Sequence, residues 1–383
     1  MPELSKRARS FHGSPISEQM DLVRSLQAEG ADIIDLTVGE TGLPVPEEIK
    51  KAAEAAIEQD LTKYTTSHGT AELRSLLAKK YGTKPERVAV SNGAKTVLAA
   101  VMQCVLDPGD EAILPVPYWS CFPEIIRAAG GVPVPVPANP DNHFLLNVDT
   151  LESVVNKKTR VLILNTPCNP TGQAYPDSLI TEIAEFCASR DIFLILDGCY
   201  GELDFSGSRT TPAVLSNLRL RDQVIFVGSA SKAYAMSGWR LGWSLASVEL
   251  TEALKRYYTN CIGCPSAISQ YALQKMLESD ENAPSYIQNA CLERCSYVAD
   301  RIRQMSNISC LEPEGGLYVW VRLEPGTDDI AFSTALLKEL CLATVPGSAF
   351  GLSGYIRIAC TKSLEELCEG MDRLEHWLCK KGS

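Results

Sequence analysis

Several short segments of this chain carry side chains whose types and spacing suit chemistry. The richest is Ser229-Ala230-Ser231-Lys232-Ala233-Tyr234-Ala235-Met236-Ser237-Gly238-Trp239-Arg240, directly after the apolar run Val224–Val227. A lysine set among small residues past a buried strand loses its charge easily and can form an imine with a carbonyl compound. Arg240 offers a planar fork for a phosphate, and Ser229 and Ser231 can add hydrogen bonds. Taken alone, the segment also fits a surface loop with ordinary charges. Asp197, in Asp197-Gly198-Cys199-Tyr200, ends a second apolar run, and a carboxylate there needs a partner. Asn169-Pro170-Thr171-Gly172 is a turn by its own chemistry. Ser91-Asn92-Gly93-Ala94-Lys95 marks a strand–turn–helix junction, where backbone N–H groups bind phosphate well. Arg357 lies in a strand-like stretch, where a lone arginine is normally a surface residue.

A scaffold must gather these segments. From about residue 88 the chain alternates apolar runs with helical periodicity. The pattern predicts strands over Val88–Ser91, Glu111–Val116, Val161–Asn165, Phe193–Leu196, Val224–Val227 and Arg240–Ala246. It predicts helices over Lys95–Leu106, Phe122–Ala129, Asp177–Arg190 and Leu250–Tyr258. Continuous apolar strands between helices imply an α/β fold with a parallel or mixed sheet covered on both faces. Ligands then bind beyond the carboxyl ends of the strands, where the polar segments sit. The C-terminal part changes rhythm, with a long helix over Gln288–Met305, strands over Gly316–Arg322 and Tyr355–Ile358, and a closing helix over Leu364–Leu378. The expected division is a large domain over 46–285 and a smaller α+β domain over 286–383. Residues 1–45 are expected to join the smaller domain through strand-like Ile33–Thr37.

Apolar residues make up 45 % of the 383 and charged residues 22 %, ordinary for a soluble globular protein. A net charge of -11 disfavours nucleic acid or an anionic membrane as the main partner, although a few local donors suffice for one phosphate. No apolar run is long enough to cross a bilayer. The basic start is followed by no apolar core and small-residue cleavage site, so the cytoplasm is the expected compartment. There the 14 cysteines stay reduced. Cys261-x-x-Cys264 and Cys291-x-x-x-Cys295 have metal-like spacing, but no histidine lies near either pair. Buried thiols are expected, and no metal.

The segment from Ser229 to Arg240 resembles the attachment signature of the class I/II aminotransferases of fold type I, which depend on pyridoxal 5'-phosphate (PLP). It is most similar to the bacterial gamma subgroup of aspartate aminotransferases. The similarity runs over nearly the whole chain, with the motifs in the family's order. It implies a mostly parallel seven-stranded sheet between helices, with the smaller α+β domain beside it. It implies that Lys232 holds PLP as a Schiff base. Arg240 would bind the phosphate, with Ser229, Ser231 and the backbone of Gly93, Ala94 and Lys95. Asp197 would pair with the protonated pyridine nitrogen, making the ring an electron sink. Tyr200 and Asn169 would bond the 3'-oxygen, and Trp119 would stack on the ring. Arg357 would grip the substrate α-carboxylate bidentately, a geometry lysine cannot copy, beside Gly39 and Asn169. Tyr64, in Lys63-Tyr64-Thr65-Thr66-Ser67-His68-Gly69, would reach the phosphate of a partner subunit, making a homodimer with shared sites. His68 has no counterpart role and is expected at the surface.

Some positions depart from the family. Gly198 stands where it reads Glu, and Thr41-Gly42-Leu43 where it continues Pro-Asp-Phe. Leu317 stands where it often has an aromatic, between a glycine pair and a tyrosine. These departures are expected around the substrate, with a roomy pocket beside Gly198. The resemblance implies amino transfer between an L-amino acid and a 2-oxo acid, with Lys232 as base. A lyase or cyclase on the same fold, of the capreomycidine-synthase type and acting on an arginine-like amino acid, shares Lys232, Asp197 and Arg357 and stays open. A PLP-sensing regulator is disfavoured by the acidic balance and by a fold-like region that begins near residue 30. No second arginine is clearly placed for a dicarboxylic side chain, so the sequence does not point to aspartate.

Overall fold

The computed structural model describes residues 2–9, 11, 13, 15–206, 212–279 and 283–381. Its centre is a seven-stranded sheet in the order Val88–Ser91, Gly242–Leu245, Val224–Ser229, Phe193–Asp197, Thr159–Asn165, Glu111–Val116, Val132–Pro137. Only Gly242–Leu245 runs against its neighbours. The strands are apolar throughout because both faces are covered. Along them, Val90, Leu162, Leu164, Leu194 and Leu196 pack into one core, while Ala89, Val161, Ile163, Ile195 and Val227 pack into the other. That alternation is the period-2 geometry of a strand. Helices such as Asp177–Ala188 and Ala267–Glu278 close the first core, and Ala94–Val105 and Val248–Tyr257 the second.

Prolines at 133, 135 and 137 hide the strand Val132–Pro137 from sequence reading, since proline cannot donate to a ladder. It persists as an edge strand. The N–H groups of Val132 and Ala138 bond Asp110 O and Val116 O at 2.7 and 3.1 Å. The prolines take the alternate positions, where no donor is needed.

A second, antiparallel sheet has the order Val345–Pro346, Tyr355–Ala359, Tyr318–Arg322, Ser309–Cys310. The helices Ala283–Gln304 and Leu364–Lys381 pack on it through Val298, Ile302, Leu367 and Met371, against Val319, Val321, Ile356 and Ile358. Ile34–Asp35 pairs in parallel with Leu342–Ala343, which ties the N-terminal segment to this part of the chain. Among the described residues no helix is long and apolar enough to cross a membrane.

Candidate active site

The carboxyl ends of the large sheet's parallel strands face the smaller sheet across a cavity of about 370 Å³. Lys232, Asp197, Tyr200, Asn169, Arg240 and Arg357 all line it. Gly39, Ala94, Lys95, Trp119, Ser229 and Ser231 reach it as well. Gly93 stands just behind, where a Cβ would come within 2.5 Å of Arg240 Nη2. With φ at +88°, residue 93 is held to glycine twice over. Tyr64 is elsewhere. It is 98 % exposed and borders a separate hollow with Leu61 and Tyr271.

Asp197 is the last residue of its strand and is buried. One carboxylate oxygen accepts from the Cys199 N–H at 3.1 Å. Burial pushes its carboxyl above the ordinary value, so a cation in the cavity is what would favour its charged form. Asn165, on the neighbouring strand, donates to Asp197 O at 2.9 Å and accepts from the Asn169 N–H at 2.7 Å. This one side chain therefore braces two others, a role invisible in the sequence because Asn165 reads only as the start of a turn.

Arg357 projects from within the strand Tyr355–Ala359 and is 2 % exposed. Its Nη1 donates to Asn169 Oδ1 at 3.0 Å and its Nη2 to Thr37 O at 2.6 Å, while Nε has no partner. The rings of Tyr318 and Phe350 lie 4.3 and 4.9 Å from its Cζ. Burial pulls the guanidinium below its ordinary value. A buried cation held only by neutral groups is costly, and an anion entering the cavity relieves that cost.

Lys232 is half-buried, and Arg240 and Lys95 are exposed, but their neighbours are neutral too. Lys232 Nζ donates to Gly39 O. Arg240 Nη1 donates to Ser237 O at 2.8 Å, and Lys95 Nζ lies 5.0 Å from the Trp119 ring centroid. All of these partners are neutral. The set fits PLP: an amine for its carbonyl, an acid for its ring nitrogen, and Arg240 with the first amides of the helix Ala94–Val105 for its phosphate.

The departures from the family pattern lie away from this cavity, contrary to expectation. Leu317 is fully buried in a cluster with Leu203, Ile287 and Cys291, because alternation along the strand turns it away and turns Tyr318 inward. Thr41 is buried, and its carbonyl accepts from Arg294 at 2.9 Å. Gly42 presses on Thr361 O, where a Cβ would approach to 1.8 Å. Beside Gly198 there is no room in the site either. A Cβ there would lie 2.3 Å from the Phe226 ring, and the residue borders a different cavity, with Thr166 and Glu314. His68 is 8 % exposed rather than at the surface, packed near Arg74 and Lys255. Lys95 lines the cavity, and its Nζ lies over the ring of Trp119, which lines it too. Sequence reasoning also passed over Met20, Thr37, Glu40, Ser237 and Tyr318, which line the cavity; for Tyr318, strand alternation from Leu317 is the signal that finds it.

Comparison with known proteins agrees with this geometry. Residues 31–374 match the family model described as aminotransferase class I and II. The chain is 30 % identical over 390 residues to an aspartate aminotransferase of Bacillus subtilis, covering 99 % of each. It is 34 % identical over 371 residues to an aspartate/prephenate aminotransferase of Cereibacter sphaeroides, covering 92 % of each. Among solved structures, the Rhizobium meliloti aspartate aminotransferase superposes with a TM-score of 0.94 at 30 % identity, covering 99 % of each chain. The Thermus thermophilus aspartate aminotransferase with maleate gives 0.93 at 30 % identity, covering 98 % of this chain and 100 % of that one.

Proposed function

Since the chain belongs to the class I and II aminotransferases and is a PLP-dependent enzyme of fold type I, we propose that it moves amino groups from a dicarboxylic L-amino acid to a 2-oxo acid at this cavity. The observation that carries the reading is the convergence of Lys232, Asp197 and Arg357 on one cavity.

Bound PLP supplies the carbonyl and the electron sink of amino transfer. Around it, we assign each side chain one task. Lys232 Nζ would hold the group and, as a neutral amine, would move the proton at the substrate α-carbon. Asp197 keeps the ring nitrogen protonated through its ionised carboxylate. Tyr200 and Asn169 donate to the 3'-oxygen; Asn169 has its Nδ2 left for this because Oδ1 already accepts from Arg357. Trp119 packs on the ring face. Arg240, Ser229, Ser231 and the amides of Gly93, Ala94 and Lys95 take the phosphate. Arg357 takes the α-carboxylate in its fork, beside Gly39 and Asn169.

The second carboxylate goes to the Lys95 ammonium. The support is that Lys95 is a cation on the cavity wall with an aromatic ring as its neighbour. The names of the relatives point the same way, as does maleate, a dicarboxylate, in the Thermus thermophilus enzyme. A charge-assisted hydrogen bond is worth about 1.5–3 kcal/mol. Lys95→Met should therefore cut the preference for L-aspartate over L-alanine, measured as a ratio of kcat/KM, by roughly 10- to 100-fold. An unchanged ratio would remove Lys95 from the assignment.

The working unit in this reading is a homodimer in which Tyr64 reaches the phosphate of the partner subunit. Its support is the near-complete exposure of a tyrosine on a loop flanked by exposed Ile57 and Leu61. The two-domain division at 46 and 286 is supported by the pairing of Ile34–Asp35 with Leu342–Ala343. A reducing, cytoplasmic setting is supported by Cys187, Cys291, Cys295 and Cys360, which are buried as reduced thiols.

A further inference from the structure

Tyr318 opens the strand Tyr318–Arg322 of the smaller sheet and is 2 % exposed. Its hydroxyl lies 2.8 Å from Tyr200 Oη, with the two rings edge to face at 5.7 Å and 73°. Its ring face carries Arg357, whose Cζ is 4.3 Å from the centroid. Its hydroxyl also crowds Gly39, where a Cβ would come within 2.1 Å of Oη. One side chain of the smaller sheet thus touches three groups: the phenol assigned to the 3'-oxygen, the guanidinium assigned to the substrate, and the glycine whose carbonyl receives Lys232.

We propose that Tyr318 is a positioning residue with two separable jobs: its hydroxyl donates to Tyr200 Oη, and its ring seats Arg357. The proposal rests on the reading of Tyr200 as a donor to the cofactor's 3'-oxygen. A phenol has one hydrogen. Were Tyr200 to give its hydrogen to Tyr318, none would remain for the cofactor, so Tyr318 is the donor of the pair. Accepting that bond polarises the Tyr200 O–H and makes it a stronger donor in turn. Burial raises the Tyr200 phenol well above its ordinary range, which keeps that hydrogen in place. The other titratable and charged groups facing the pair are Cys199 and Arg357, with Lys232 across Gly39. The second job follows from the ring alone. A desolvated guanidinium over an aromatic face gains about 2 kcal/mol, and here the face fixes a fork that has only neutral hydrogen-bond partners.

Two substitutions separate the jobs. Tyr318→Phe keeps the ring and removes the hydroxyl; Tyr318→Leu removes both. The first readout is the pH midpoint of the visible absorbance of the cofactor-loaded protein, without substrate. A donor to the 3'-oxygen favours its anionic form, so a weaker donor raises the midpoint. Both variants should raise it by about half a pH unit to one unit, as expected for the loss of one hydrogen bond. The second readout is KM for L-aspartate, which should rise about 5- to 30-fold in the leucine variant and not in the phenylalanine variant. Tyr200→Phe serves as the reference. It should move the midpoint in the same direction and further, and adding Tyr318→Phe to it should add nothing. If Tyr200→Phe moves the midpoint and Tyr318→Phe does not, the inference fails and the reading of Tyr200 stands. If Tyr200→Phe does not move it, both fail. Equal KM increases in the two Tyr318 variants would overturn the division of labour.

Discussion

On the wall built by the large sheet, Asp197 ends its strand, Asn169 and Lys232 stand just past theirs, and contacts to backbone atoms set their positions. Cys199 N–H holds Asp197, Asn165 holds the Asn169 N–H, and Gly39 O receives Lys232. On the facing wall, Arg357 projects from within its strand and Tyr318 from the start of its own, and Arg357 lies over the rings of Tyr318 and Phe350. The first wall's precision therefore lies in its loops. The second wall's lies in side-chain packing, where one truncation loosens several groups.

The two walls differ most in their expected response at Arg357. Arg357→Lys keeps the charge but loses the fork, and lysine cannot use both Asn169 and Thr37 as Arg357 does. The expected loss in kcat/KM is about 10²-fold for every amino-acid donor, corresponding to a few kcal/mol for a buried charged contact. A loss confined to dicarboxylic donors would mean that Arg357 is not the α-carboxylate residue.

How far the sequence was legible follows the same divide. Lys232 and Asp197 are readable because each lies at or just after the end of an apolar strand, where packing gives no reason for a lysine or an acid, whereas Asn169 reads only as a turn and is placed by resemblance. Arg357 was placed by resemblance alone, since a strand arginine looks like a surface residue. Tyr318 sat one position beyond the residue that drew notice, and a shift of one in a strand exchanges cavity for core. Gly198 misled for a related reason. A missing side chain reads as space, whereas Phe226, far off in sequence, fills that space.

Gly198→Glu tests this second point. The new side chain must displace Phe226, which also packs on Tyr81 with ring centroids 5.2 Å apart. Overpacking of this kind costs about 1–3 kcal/mol, measurable as a lower urea midpoint. In a Phe226→Ala background the same change should cost less, because the two positions are in contact. A shift in donor choice with unchanged stability would instead return Gly198 to the substrate wall.

The smallest expected effect concerns His68, outside both walls. Burial first, then the positive charges of Arg74 and Lys255, lower its pKa from 6.5 to about 4, with Glu252 opposing. Between those values the unfolded chain binds more protons than the folded one, so stability rises with pH there. The contribution is complete above 6.5 and is lost as pH falls towards 4. Discounted for partial solvation, it is about 1–2 kcal/mol. His68→Gln should flatten the stability profile across that window, and an unchanged slope would mean that the imidazole is charged in the fold.

The most direct test of the whole account is a count. The cofactor-loaded protein is mixed with L-aspartate and no 2-oxo acid, and the 2-oxo acid released is measured per site. One equivalent is expected and then a halt, with turnover resuming when a second 2-oxo acid is supplied. None is expected from a folded Lys232→Ala. Product accumulating beyond one equivalent without an acceptor, or release from Lys232→Ala at the native rate, would contradict amino transfer at this lysine.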